Sequence, residues 1–430
     1  MKLSSDQAKV YASITKWLKG DARQASLFES PPPLLRMGGY AGTGKTTLLS
    51  KLAAETKLLV AYVAYTGRAS SLLARKFKAA GILTTGKTRG SRTSSESLED
   101  ITYEPGSPEE KRPFVGTIHR LLYKPVIDKQ TEELMGWTKR DELDRKYGLI
   151  VIDEASMVGD DLLEDLQSFG VPILAVGDHG QLPPVMASGS LMRSPDLRLE
   201  TIHRQAEGSP IIALSKHIRE GRWLSDFESD GKAVTFRYHE ELDDVLRAAY
   251  AGRKRGGLNE VAVICWMNKT RVRLNGAARR VLGFSGQPAQ GEQVICLKND
   301  PPIYNGMRGF LTKASEVGGR PWHLTMKVTF PDEDLKGQAI LANAAQFNRD
   351  RPFSSVEELQ DRGINAPTMS LGGSLYDFGY AMTAHKMQGS QADHVIVFVD
   401  RRENPLNEEF RRWIYTACTR ASERVTILRG

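Results

Sequence analysis

The stretch GYAGTGKT at residues 39–46 constrains this chain more than any other. Its glycines let the backbone wrap tightly, so that successive N–H groups face one centre. Such a turn works only between a buried strand and a helix, whose positive N-terminal end adds to the anion-binding field. Both neighbours are present: residues 34–37 are a short apolar run and residues 48–57 have helical spacing. Gly39, Gly42, Thr43, Gly44, Lys45, Thr46 and Thr47 therefore form a candidate phosphate cradle for ATP. Lys45 is placed to reach the β- and γ-phosphates and the Thr46 hydroxyl to ligate Mg²⁺. The pattern recurs as GILTTGKT at 81–88. There it follows a helix-like run (72–80) and precedes Arg89-Gly90-Ser91-Arg92, so it is read as a coincidence in a loop.

Strands and helices alternate along much of the chain, which indicates parallel sheets with helices on both faces. Residues 4–19 read as an amphipathic helix, with Val10, Ile14, Trp17 and Leu18 on one face and Ser4 or Ser5 as the cap. Apolar strands are expected at 58–65, 149–152, 171–176, 261–266 and 395–399, and a helix at 69–78. The pattern divides into two α/β domains, 1–200 and 201–430. Residues 82–113 are polar and read as a loop or mobile insertion, and residues 291–373 as a small β-rich insertion with a tight turn at Asn305-Gly306.

A second chemical signal follows the strand at 149–152, where Asp153 and Glu154 stand at the carboxyl edge of the expected sheet. Ligands bind at that edge in open α/β folds. Asp153 is the candidate second Mg²⁺ group, and Glu154 the group that orients and deprotonates an attacking water.

These two motifs and VGDHGQLPPV at 176–185 resemble motifs I, II and III of superfamily 1 helicases. The third has the form of the RecD/Dda and Pif-like 5′→3′ branch, a form shared with Upf-like RNA helicases. Further segments resemble the remaining motifs in family order: YTGRA at 65–69, TIHRLL at 117–122, IHRQ at 202–205, TAHKMQGS at 383–390 and YTACTRA at 415–421. The resemblance implies an α/β fold of two RecA-like P-loop NTPase domains with parallel sheets, a β-hairpin insertion at 121–146 and a barrel-like insertion at 291–373. It implies Mg-ATP hydrolysis coupled to translocation on single-stranded DNA and to opening of duplex junctions. It also implies closure of the two domains on ATP.

The resemblance also assigns roles. Arg204 and Arg420 become arginine fingers, Gln181 a sensor of the γ-phosphate, and Gln7 a reader of the adenine edge. Thr66, Arg68, Thr117 and His119 become DNA contacts in the first domain, and Asn268, Thr383 and His385 in the second. Met135 or Trp137 would be the wedge of a strand-separating hairpin. Trp137 and Trp266 suit base stacking, although core packing accounts equally well for either. Ion pairing at the surface is the competing role for each arginine.

Lys and Arg number 59 against 52 Asp and Glu, a net charge of +7 that suits a phosphate-rich partner. The 3 cysteines lie far apart, which argues against a zinc site or disulfide framework. No apolar run approaches the ~20 residues of a membrane span, and residues 1–10 lack an apolar signal core, so a cytoplasmic protein is expected. Single-strand-binding, replication or repair proteins are the expected protein partners. An RNA-directed Upf-like motor and a non-unwinding, DNA-stimulated ATPase or adaptor subunit remain as alternatives.

Overall fold

The computed structural model describes residues 3–20, 31–83, 112–127, 134–184, 191–201, 208–251, 261–298, 303, 305–318, 320–331, 335–352 and 373–430. They form two compact units, Met1–Glu207 and Gly208–Gly430.

The strands of the first unit are β1 (Leu34–Gly39), β2 (Val60–Ala64), β3 (Phe114–Thr117), β4 (Tyr123–Ile127), β5 (Leu134–Lys139), β6 (Leu149–Asp153), β7 (Ile173–Gly177) and β8 (Leu197–Leu199). Its helices are α1 (Ser5–Lys19), α2 (Lys45–Glu55), α3 (Gly67–Ala79), α4 (Ile118–Leu122) and α5 (Asp160–Gln167). Six strands make a sheet in the order β3-β2-β6-β7-β1-β8, every pair parallel. Parallel strands must bury both faces, and continuous apolar runs such as Leu-Ile-Val-Ile at 149–152 satisfy that requirement. The period of two then sorts alternate residues into two cores. Val60, Tyr62, Leu149 and Val151 pack with Val10 and Ile14 of α1, Leu48 and Leu52 of α2, and Leu73 and Phe77 of α3. Ala61, Val63, Ile150 and Ile152 pack on the other face with Ile118 of α4 and Leu166 of α5.

Ser4 is the cap of α1: its Oγ accepts from Gln7 N at 3.2 Å, while Gln7 Oε1 accepts from Ser4 N at 3.1 Å. At the far end of α3, Gly81 has φ +71°. Gly81 N donates to Lys78 O at 3.0 Å and Ile82 N to Phe77 O at 2.9 Å. The first residue of the second GK[ST] match is thus a helix-terminating glycine. Residues 84–88 of that match lie outside the described residues.

β4 and β5 pair antiparallel as a separate hairpin. Their register partners Tyr123 and Lys139 both donate to Asp165 of α5, the Lys139 Nζ bond being 2.8 Å. One carboxylate therefore clamps both legs of the hairpin to the body of the unit.

In the second unit the strands are β9 (Val234–Tyr238), β10 (Val261–Cys265), β11 (Gln293–Cys296), β12 (Arg308–Val317), β13 (Arg320–Phe330), β14 (Leu335–Asn343), β15 (Tyr376–Phe378), β16 (Ala381–Thr383), β17 (Ala392–Phe398) and β18 (Ala421–Arg429). The helices are α6 (Pro210–Arg219), α7 (Leu242–Tyr250), α8 (Asn268–Val281), α9 (Ala384–Met387) and α10 (Glu408–Cys418). A parallel sheet runs β16-β10-β17-β18-β9. The insertion is an antiparallel sheet in the order β14-β13-β12-β11-β15. It extends past residue 373, because β15 completes it by pairing with β11.

That second sheet closes on itself. Ala342, in the edge strand β14, bridges Ser374 just ahead of the opposite edge strand β15. Ser374 N donates to Leu341 O at 2.8 Å and Asn343 N to Ser374 O at 3.0 Å. Closure satisfies the edge groups that an open sheet would expose. Val294, Leu324, Met326, Val328, Phe330 and Phe378 belong to one core cluster with Leu274 and Ala278 of α8. No helix among the described residues is long and apolar enough to cross a membrane.

The seam depends on Gly373, which has φ +90° and would carry a Cβ only 2.9 Å from Leu341 O. Gly373→Ala is expected to lower stability by about 1–3 kcal/mol. This is read as a lower urea midpoint, and an unchanged midpoint would contradict closure at this seam.

Candidate nucleotide site and nucleic-acid surface

Three adjacent strands of the first unit, β6, β7 and β1, deliver the sequence motifs to the carboxyl edge of one sheet. The Gly-rich turn leaves β1, Asp153 and Glu154 stand at the end of β6, and Asp178 to Gln181 follow β7. The turn needs its glycines. Gly42 and Gly44 have φ +82° and +79°, and a Cβ on Gly39 would lie 2.7 Å from Thr43 Oγ1. Lys45 opens α2, followed by Thr46 and Thr47, so the start of that helix faces the turn. Lys45 Nζ donates to Gly39 O at 2.7 Å and to Tyr40 O at 3.2 Å, and Thr43 Oγ1 donates to Tyr40 O at 2.9 Å.

Gln7 touches this turn from α1: its Nε2 donates to Thr43 O at 3.1 Å, and its side chain is buried. With Oε1 held by Ser4 N, both ends of the amide are engaged inside the protein. The amide keeps a second N–H and a second lone pair beyond these two bonds. His179 packs against Tyr40 of the turn, ring centroids 4.2 Å apart. Asp178, also buried, accepts from Gly180 N at 2.9 Å and from Gln181 Nε2 at 3.3 Å, which fixes Gln181 at the edge.

The acidic pair is under strain. Glu154 adopts φ +53°, a left-handed conformation that glycine favours, and its buried Oε2 has no hydrogen-bond partner. Strained residues and orphaned buried acceptors concentrate where function demands them. Desolvation and the Glu154 charge push the Asp153 carboxyl above the usual range, while Lys45 and Lys76 pull it back. Lys76, on α3, was not singled out from the sequence, and its Nζ donates to Thr46 Oγ1 at 3.4 Å. A hydroxyl and a carboxylate that already face cations are the oxygen donors a hard divalent metal takes. Thr46 and Asp153 therefore fit Mg²⁺, and the bare Glu154 Oε2 fits an acceptor for a water proton.

Farther along the same edge, Thr66 follows β2 and Thr117 ends the neighbouring strand β3, where Ala64 pairs in register with Thr117. Their hydroxyls cap α3 and α4, accepting from Ala69 N and Arg120 N at 3.2 Å each. Arg68 is buried in the first turn of α3. Burial lowers the pKa of His119, whose ring lies 6.2 Å from Tyr65 and 5.5 Å from Tyr123. Tyr65, an exposed aromatic that opens the YTGRA segment, has no role assigned from the sequence. Trp137 on β5 is 45% exposed, and Met135 lies on the same strand.

In the second unit, Asn268 begins α8 and Thr383 is the cap position of α9, which carries His385. Thr383 pairs in register with Cys265, so these groups share one sheet edge with Trp266. The Trp266 ring contacts His385, Trp413 and the Arg401 guanidinium, the last at 4.2 Å. Asp400 accepts from Trp266 N and Met267 N and holds this edge rigid. Arg401, Asp400 and Trp413 converge only through the fold and carry no motif signal. Lys386 donates to Asn305 in the barrel turn at 3.5 Å. Burial, and then Arg271, lower its pKa to about 8.

Arg420 is buried, and the surface ion pair considered for it is not what the structure shows. Its Nε donates to Thr416 O at 3.2 Å, and its terminal nitrogens donate to Ser390 O and Thr419 Oγ1. All three acceptors are neutral, so the guanidinium keeps its full charge for another anion. Arg204 lies outside the described residues.

Comparison with known proteins matches the geometry. The chain matches an AAA domain family over residues 22–233 and a UvrD-like helicase C-terminal domain over 378–428. It is 28% identical over 339 residues to the ATP-dependent RecD2 DNA helicase of Deinococcus radiodurans, covering 72% of this chain but only 39% of that protein. It is 27% identical over 429 residues to the RecBCD enzyme subunit RecD of Mycolicibacterium smegmatis, covering 91% of this chain and 67% of that one. The fold is similar to the Bacteroides Pif1 helicase solved with ADP-AlF3 and ssDNA, with a TM-score of 0.51 and 18% identity, covering 100% of this chain and 92% of that one.

Fold and site together define a P-loop protein with a RecA-like parallel-sheet core and additional sheets. Within that class the chain is similar to the superfamily 1B helicases of the RecD and Pif1 type.

The strain at Glu154 makes a testable difference to stability. Glu154→Gly is expected to raise the apparent melting temperature by about 2–4 °C, measured by scanning calorimetry. A lower melting temperature would contradict a strained, unpartnered carboxylate.

Proposed function

We propose that this chain is an ATP-dependent DNA helicase that moves 5′→3′ along single-stranded DNA and opens duplex junctions. The observation that carries the reading is the arrival of the Gly-rich turn, the acidic pair and Gln181 from three adjacent strands at one sheet edge. Supporting it are the relatives: RecD2 of D. radiodurans is an ATP-dependent DNA helicase, and the Bacteroides Pif1 structure holds ADP-AlF3 and ssDNA.

On this reading the backbone of Gly39, Gly42, Thr43 and Gly44 wraps the ATP phosphates, and Lys45 and Thr47 complete the cradle. Thr46 and Asp153 would hold Mg²⁺, which supplies positive charge to the phosphate oxygens. Glu154 takes a proton from the attacking water through its bare oxygen. Gln181 senses the γ-phosphate, and Gln7 acts on the cradle through Thr43. Arg420, and Arg204 by its motif alone, neutralise charge on the transferred phosphoryl group. The motor domains are 1–200 and 201–430, with the hairpin at 121–146 and the barrel, extended through β15 to residue 378, as accessory parts.

DNA phosphates meet Thr66, Arg68, Thr117 and His119 on one unit and Asn268, Thr383 and His385 on the other. Capped helix starts, hydroxyls and amides hold a backbone without reading its sequence. Trp137, with Met135 on the same strand, serves as the wedge on the hairpin that Asp165 clamps.

The test is steady-state ATP turnover with and without single-stranded DNA, repeated with RNA of equal length. DNA should stimulate the wild type and RNA should not. Lys45→Ala should abolish turnover, Glu154→Gln should bind ATP while turning it over at least about 100-fold more slowly, and Arg420→Ala should slow turnover without unfolding. Wild-type turnover in Glu154→Gln would remove the assigned base, and preferential stimulation by RNA would redirect the reading to an RNA motor.

A further inference from the structure

Lys76 belongs to none of the motifs, yet the fold brings it to the metal side of the cradle. It sits in the last turn of α3, where the helix C-terminal end favours a positive charge. From there its ammonium donates to the Thr46 hydroxyl, thirty residues earlier in the chain. Its charge also acts on Asp153, alongside that of Lys45. Thr46 and Asp153 are the two groups whose chemistry fits Mg²⁺. A hydroxyl oxygen that accepts an N–H is using electron density that a metal would need, and two cations at one place repel. Lys76 is otherwise exposed. Its long, flexible stem can swing into solvent without disturbing packing.

We propose that Lys76 is a positioning residue of the nucleotide site, its ammonium competing with the divalent cation for the Thr46 hydroxyl beside Asp153. This rests on the nucleotide-site reading given above. Lys76 offsets part of the Asp153 charge whenever the metal is away, and Mg²⁺ entry displaces it. The metal requirement of nucleotide binding is thereby set higher than Thr46 and Asp153 alone would set it.

The experiment is binding of a fluorescent ADP analogue at fixed concentration, titrated with Mg²⁺, in the full-length wild type, Lys76→Met and Lys76→Arg. An exposed charge acts weakly, so the half-saturating Mg²⁺ concentration should fall by about two- to fivefold in Lys76→Met. Lys76→Arg, which keeps the charge, should stay near the wild type. In EDTA, Lys76→Met should bind the analogue more weakly than the wild type, because a positive charge has left the site. An unchanged or raised Mg²⁺ requirement in Lys76→Met overturns the proposal while leaving the nucleotide site intact. Failure of the wild type to bind the analogue at any Mg²⁺ concentration overturns the nucleotide-site reading itself.

Discussion

Two adjacent carboxylates at the end of β6 set the problem that the first unit solves. Burial and the neighbouring Glu154 charge raise the cost of ionising Asp153, and that cost is offset in part by positive charge held nearby. The parallel sheet supplies it. Strand β1 runs beside β7, which runs beside β6, so the turn after β1 brings Lys45 to the same edge. Helix α3 returns across the sheet and brings Lys76. The left-handed backbone at Glu154 then holds its second carboxylate oxygen buried and bare. An arrangement that stores repulsion and strain in this way is stabilised by ligands of the complementary charge.

The two insertions are held by local devices that do not involve this edge. Asp165 joins both legs of the hairpin to α5, which gives Trp137 a fixed base. The barrel closes where Ser374 meets β14, and it shares its apolar core with α8. Lys386, on the segment that resembles motif V, reaches the Asn305 turn of that barrel. A shift of the barrel turn would therefore be felt at α9, which carries His385 and starts beside Thr383.

Much of the fold was legible because it depends on periodicities that sequence displays. The runs at 149–152 and 261–265 are apolar at every position, as strands buried on both faces must be. The glycines at 42 and 44 announce a turn that needs positive φ. Context also separated the two GK[ST] matches, since Gly81 ends a helix that the sequence shows before it. What could not be read depends on distance in sequence. Lys76 meets Thr46 only because α3 packs beside α2, and Arg401 covers Trp266 only because β17 ends beside β10. The conformation of Glu154 is a property of the whole edge, and no residue type signals it. Gln7 has partners that sequence does not show: its amide joins the capping box of α1 to Thr43 of the Gly-rich turn.

On the proposed function, ATP hydrolysis at this edge drives movement along one strand of DNA in one direction. The most direct measurement is strand displacement with ATP and Mg²⁺ on two partial duplexes of the same sequence, one with a 5′ single-stranded tail and one with a 3′ tail. Displacement is expected from the 5′-tailed substrate and not from the other. Displacement from the 3′ tail alone, or from neither while DNA still stimulates ATP turnover, would contradict it.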